Sequence, residues 1–168
     1  MAETRVQDLP PFAGHSPERE RPLGWYAALV SLFGGLAASF AAWFRRSGRV
    51  LPERMDGRDL ALLAVAVHKS SRLVAKDRVM SPVRAPFTRY QEDGGPAEVE
   101  EAARGRGLRR TLGEMLVCPF CLSMWLAAAF TAGLLLAPRA TRWIASLLSA
   151  VFVSDVLQIA YRKAEDAL

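Results

Sequence analysis

Thiols and imidazoles are scarce in this chain, whose 168 residues include two Cys and two His. Two cysteines in one C-x-x-C exclude a disulfide framework, and the dispersed His15 and His68 exclude a histidine-rich metal site. β-Branched runs are few and aromatics make up 9 %, which argues against a sheet protein. No nucleophile–base pair and no carboxylate cluster can be assembled from the motifs, so catalysis is not expected. Acidic residues are outnumbered, 17 Asp+Glu against 22 Lys+Arg, for a net charge of +5. Apolar residues are what the chain has in plenty, at 51 %. That share excludes disorder for most of the chain, and the length suits one domain or one small assembly of helices.

The apolar residues are concentrated in runs. Leu23 to Phe44 holds no charge. As a helix it would be about 33 Å long, enough to cross a hydrocarbon core. Trp25 and Tyr26 open it, Trp43 and Phe44 close it, and Arg45, Arg46 and Arg49 follow, the pattern a membrane–water boundary favours. A buried soluble helix and a cleaved signal peptide are the competing readings. The tail 1–22 mixes Arg5, Arg19 and Arg21 with Glu3, Asp8, Glu18 and Glu20 and forms no basic leader, although Ser39-Phe40-Ala41 has the look of a cleavage site. A spanning helix fits best. Val117–Ala137 and Trp143–Tyr161 are two further runs, the latter with a lone charge at Asp155. The short link between them predicts an antiparallel membrane hairpin. Small residues at every fourth position (Ser31, Gly35, Ser39; Ala129, Gly133; Ser146, Ala150, Ser154) suggest faces for close helix packing in lipid.

Residues 60–75 form a shorter amphipathic segment. Its uncharged part ends at Val67, and His68, Lys69, Arg72 and Lys76 follow at helical spacing. It either spans with snorkelling cations or lies in the interface against anionic headgroups. The positive-inside rule favours three spans with an outside N-terminus, because four spans would place Arg45, Arg46, Arg49, Arg54 and Arg58 outside. Both arrangements put residues 76–114 and the C-terminus in the cytoplasm. The expected fold is therefore an all-α integral membrane helical bundle, with three spanning helices plus one short membrane-associated or spanning helix.

Residues 76–114 read as a basic cytoplasmic loop, extended and Pro-punctuated over 81–90. An acidic patch (Glu92, Asp93, Glu98, Glu100, Glu101) separates its basic blocks and would repel nucleic acid or fold back on them, so nucleic acid is not an expected partner. Anionic lipid headgroups are, together with a protein partner or a second copy of the chain. Gly105 and Gly107 lack the context of a phosphate loop.

Cys118-Pro119-Phe120-Cys121 carries the most chemical content. On a helix start its sulfurs share a face, where they can serve as reduced structural thiols, hold a soft metal such as zinc, or do redox work. Zinc would need further ligands, from a second copy or from His68 or Glu114. Asp155, deep in its run, would cost about 2.5–3.5 kcal/mol on insertion scales and calls for a partner. Lys69, Arg72 and His68 are the candidates for a salt link, and an ion- or proton-handling site is the alternative.

His68-Lys69-x-x-Arg72-Leu73-x-x-Lys76-Asp77, Pro82-x-Arg84-x-Pro86-Phe87, Gly105-x-Gly107-x-x-Arg110 and Gly113-Glu114-x-Leu116-x-Cys118-Pro119-Phe120-Cys121-x-x-x-Trp125 occur in that order. Over residues 58–162 the chain resembles a family of small bacterial membrane proteins with a domain of unknown function, whose members include a sporulation protein of spore-forming bacteria. Leu23–Phe44 looks like an upstream addition. Ser123 and Met124 stand where the family often has Gly. The resemblance implies a bacterial inner-membrane location and no activity. A non-enzymatic interaction or assembly role is the expectation, and a thiol-dependent metal or redox protein is its rival. Alkaline carbonate should leave the chain in the membrane pellet; release into the wash, monodisperse without detergent, would refute the membrane reading.

Overall fold

The computed structural model describes residues 21–167. The polar tail expected over 1–22, with His15, lies outside these residues except for Arg21 and Pro22. Six α-helices and one two-stranded sheet make up the described chain. Three of the helices are long and apolar enough to cross a membrane: Leu23–Arg46, Pro119–Leu136 and Pro138–Glu165.

Helix α1 (Leu23–Arg46) starts after Pro22 and stops at Gly48, whose φ of 71° is the left-handed geometry that ends helices. Helix α2 (Gly57–Ala75) follows Asp56 and begins a turn earlier than the apolar segment suggested. Its buried positions Asp59, Leu63, Ala66 and Ser70 recur at three- and four-residue spacing, one stripe along the helix. Helix α5 (Pro119–Leu136) and helix α6 (Pro138–Glu165) are separated by Ala137 alone, so Pro138 to Arg142 forms helix rather than a link. Proline suits both starts because its missing N–H would have had no helical acceptor.

The stripe of α2 packs between α5 and α6. Leu63, Ala66 and Ala145 form the centre, with Phe130, Leu134 and Leu148 around them. Ala66 and Ala145 are fully buried, which lets the two backbones come close. Two ion pairs set the direction. Asp59 at the start of α2 meets Arg142 with two hydrogen bonds of 2.8 Å, and Lys69 farther along meets Asp155 at 2.9 Å. Both numberings rise together, so α2 runs parallel to α6 and antiparallel to α5. Helix α1 brings Tyr26 to Glu114, just before α5, and Phe33 edge-on to Trp125 at 5.1 Å, so α1 runs with α5.

The result is an up–down–up–down bundle. Residues 47–56 and the α5–α6 junction lie at one end, and the start of α1, residues 76–118 and the end of α6 lie at the other. Three helices are long enough and apolar enough to span, as expected, and α2, the short amphipathic segment, lies alongside two of them, with Asp59 on Arg142 and Lys69 on Asp155. The expected small-residue faces change. Gly133 packs tightly, since a Cβ there would sit 2.8 Å from Thr141 Oγ1. Ser31, Gly35 and Ser39 of α1 and Ser146, Ala150 and Ser154 of α6 instead face outward, and the helices meet through Phe33, Thr141 and Ala145.

Residues 76–114 form a small folded unit rather than an extended basic loop. A 3₁₀ turn (Arg78–Met80) leads into helix α3 (Ser81–Arg84), strand β1 (Thr88–Asp93), strand β2 (Val99–Ala103) and helix α4 (Gly107–Leu116). The strands pair antiparallel from Thr88↔Ala103 to Asp93↔Val99, with a bulge between Tyr90 and Glu92. Gly113 of α4 lies against Phe87 and Ala103, where a Cβ would collide with the Phe87 carbonyl oxygen.

Single cysteines placed by Val50→Cys, Ala140→Cys and Gln91→Cys in a Cys118→Ser/Cys121→Ser background test the arrangement. Positions 50 and 140 should react with an impermeant maleimide from one side of the membrane and position 91 from the other. Labelling of 50 and 91 from the same side would mean that α2 does not cross the membrane, the three-span arrangement.

Candidate functional site

The chemistry gathers where α2, α6 and the hairpin meet. The last turns of α2 present His68, Lys69, Arg72 and Lys76, because residues three and four apart share a helix face. Strand β2 and the turn before it bring up the acidic patch. Arg72 forms a two-pronged pair with Glu98, with Nη2 2.7 Å from Oε2, and Lys76 Nζ lies 2.6 Å from Glu100. The backbone reinforces the docking: Val99 N–H donates to the Lys76 carbonyl at 2.9 Å and Arg78 N–H to that of Ala97 at 2.9 Å. Ala97 has a φ of 63°, a left-handed residue that turns the chain into β2.

Lys69 is the most enclosed of these cations and serves two carboxylates, Asp155 at 2.9 Å and Asp77 at 3.6 Å. It ties α6, α2 and the turn after α2 together. Of the cations expected near Asp155, Lys69 is the one in contact. Arg72 is committed to Glu98, and the His68 ring stands edge-on to Phe152 at 5.2 Å. These groups border an open cleft of about 530 Å³ that Arg162 also lines. The fixed charges in it largely cancel, so it is a joint more than a charged funnel.

The most buried charge of the described residues is one that sequence reasoning missed. The Arg84 side chain is fully buried and that of Glu101 nearly so. Arg84 donates to both Glu101 oxygens at 2.9 and 3.1 Å, to the Val74 carbonyl at 2.7 Å, to the Asp77 carbonyl at 3.1 Å and to Ser81 Oγ at 3.2 Å. Ser81 Oγ donates back to Glu101 at 2.8 Å, and Thr88 Oγ1 donates to Glu101 as well. The guanidinium thus pins the end of α2, the turn at Asp77, α3 and both strands around one point. Burial pushes the Glu101 carboxyl up, but the hydrogen bonds from Arg84, Thr88 and Ser81, with the charge of Arg84, outweigh it and hold the carboxyl below the usual range. The available signals were Arg84 between two prolines and Glu101 inside an acidic patch; neither says that the two are buried together.

The cysteines sit at the other edge of this end of the bundle. Cys118 caps α5, and its Sγ accepts the Cys121 N–H at 3.2 Å. The two sulfurs are in contact at 2.7 Å as free thiols, with Cys118 half-buried and Cys121 exposed. His68 and Glu114, expected as further metal ligands, are held elsewhere: His68 against Phe152, and Glu114 by Arg110 at 3.0 Å and by Tyr26. Among the described residues no group of three or more His, Cys, Asp or Glu side chains is placed to hold a metal ion. One chain's described residues therefore offer two of the four ligands that a structural zinc takes.

The family described as "Protein of unknown function (DUF1360)" matches residues 62–161. The chain belongs to this family. The DUF1360 region runs from the first buried turn of α2 to the end of α6, and so contains the ion-pair joint, the Arg84–Glu101 pair and both cysteines, while α1 precedes it. Among curated relatives, the chain is 28 % identical over 107 residues to "Sporulation protein YjcA" of Bacillus subtilis (strain 168), covering 62 % of this chain and 91 % of that protein. No solved structure matches.

Removing one partner of a buried ion pair leaves an uncompensated charge. Arg84→Met and Glu101→Gln should each lower the stability of the DUF1360 unit by about 3–5 kcal/mol, read as earlier denaturant unfolding of the hairpin in detergent. The pH dependence has a definite sign. The folded-state pKa of Glu101 is depressed, so its contribution is present above the unfolded value of 4.5 and fades as pH falls through the lower folded value. Wild type should lose hairpin stability on acidification, and Glu101→Gln should show a flatter acid profile.

Proposed function

We propose that the chain is a non-enzymatic interaction or assembly component of the bacterial inner membrane, presenting its hairpin unit on the cytoplasmic face. The observation that carries this reading is how the charged groups are spent. Lys69, Arg72, Lys76 and Arg84, with Asp77, Asp155, Glu98, Glu100 and Glu101, are consumed in pairs that fasten the hairpin to the ends of α2 and α6. Groups locked to one another in this way orient a surface; they leave no free base beside a nucleophile.

Charge supports the sidedness. The hairpin end carries most of the Lys and Arg, including Arg89, Arg104, Arg106, Arg109, Arg110, Arg162 and Lys163, against Arg45, Arg46, Arg49, Arg54, Arg58, Arg139 and Arg142 at the opposite end. The exposed Arg89, Arg106 and Arg109 suit anionic headgroups of the adjoining leaflet. A protein partner or a second copy of the chain would meet the hairpin or the outward small-residue faces of α1 and α6.

The contact between the two thiols supports a second reading, a thiol-dependent metal-binding or redox protein. One experiment separates the two. Crosslinking and gentle detergent extraction of the native chain should recover a discrete complex that survives Cys118→Ser/Cys121→Ser and is lost in Arg84→Met. Metal in the purified protein, or loss of the complex in the double serine variant, would favour the thiol reading instead.

A further inference from the structure

We propose that Cys118 and Cys121 form a redox-active dithiol that reduces an accessible disulfide by thiol–disulfide exchange at the membrane boundary. The inference rests on the second, thiol reading above and not on the non-enzymatic one; an inert dithiol would end it and leave the interaction reading standing. Three observations carry it. The sulfurs are in direct contact, which brings the second thiol within reach of a bond to the first and leaves no gap between them for a metal ion. Cys118 Sγ accepts the Cys121 N–H at 3.2 Å at the first turn of α5, an 18-residue helix, so a backbone donor already points at this sulfur. Cys118 is partly exposed, and beside it Cys121 is exposed and Phe120 is 88 % exposed.

The same geometry divides the roles. Cys118, which accepts the hydrogen bonds, is the attacking sulfur, and Cys121, which donates, is the resolving one. The Cys118 thiolate attacks one sulfur of the substrate disulfide; the S–S bond breaks and the second substrate sulfur leaves with the electron pair and takes up a proton. The Cys121 thiol then loses its proton and attacks Cys118 Sγ in the mixed disulfide, releasing the first substrate sulfur as a thiol. The substrate gains two electrons and two protons, and the chain is left with a Cys118–Cys121 disulfide. A low-molecular-weight thiol of the cytoplasm regenerates the dithiol by the reverse exchange, which suits a compartment that keeps thiols reduced. Phe120 offers the substrate an apolar contact next to the reacting pair.

The test uses the full chain in detergent with oxidised and reduced glutathione as the probe. Wild type should convert between dithiol and intramolecular disulfide in one two-electron transition, followed by the gel shift of a maleimide–polyethylene glycol tag. Cys121→Ser should accumulate a glutathione adduct on Cys118, identified by mass. Cys118→Ser should form an adduct on Cys121 at least about tenfold more slowly, because the Cys121 sulfur accepts no backbone N–H as Cys118 does. A pair that stays reduced throughout the titration would overturn the proposal. So would equal reactivity of the two single variants, or zinc that copurifies and shields both thiols. Impermeant maleimide labelling of Cys121 in inverted but not in right-side-out vesicles checks the cytoplasmic placement separately, so that a wrong side is distinguishable from an inert dithiol.

Discussion

A charge withdrawn from water at the edge of a bilayer has to find a counter-charge close by, since desolvation costs more than any single apolar contact returns. In this chain that requirement links two parts that would otherwise have little to do with each other. Helix α2 is too polar to cross lipid by its own hydropathy, and α6 carries Asp155 inside an apolar run. Placed side by side, Lys69 answers Asp155, and Arg142 answers Asp59 at the opposite end. The two pairs, about half the length of α2 apart, hold α2 in register against α6, and the small contact at Ala66 and Ala145 lets the backbones approach between them.

The same constraint continues into the hairpin. Cations at the end of α2 need acids, and they come from Glu98 in the turn before β2 and from Glu100 and Glu101 on the strand. Neighbours along a strand point to opposite faces, and the strand uses this to satisfy different partners. Glu101 turns inward to the fully buried Arg84, and Glu100 reaches Lys76. Burial makes Arg84–Glu101 an organiser of position: five acceptor atoms around one guanidinium leave few other ways to fold the unit. The hairpin is thereby fastened to the end of α2 by ion pairs and by backbone hydrogen bonds.

Three spanning runs, the α5–α6 hairpin and the amphipathic nature of α2 were legible from hydropathy and charge, because length and the absence of charge are properties of a segment by itself. The family resemblance, carried by the ordered motifs from His68 to Trp125, agrees with the region that DUF1360 covers. The β-hairpin was not legible. Its strands, Thr88–Asp93 and Val99–Ala103, are short, mostly charged and hold few β-branched residues, so they lack the propensity by which strands are recognised. They form because their carboxylates have cations to meet. Small residues at every fourth position misled on α1 and α6, since a stripe records what can pack closely and not what does.

The order of residues was enough to determine that much of the chain seeks lipid, where the apolar runs begin and end, and that two thiols share a helix start, for these follow from local composition and spacing. Only the tertiary structure decided that α2 lies along α6 from Asp59 to Asp155, that Arg84 and Glu101 are buried together, and which cation Asp155 receives. The reason is that an ion pair between residues far apart in the chain is a property of two segments at once, and no feature of either segment names the other.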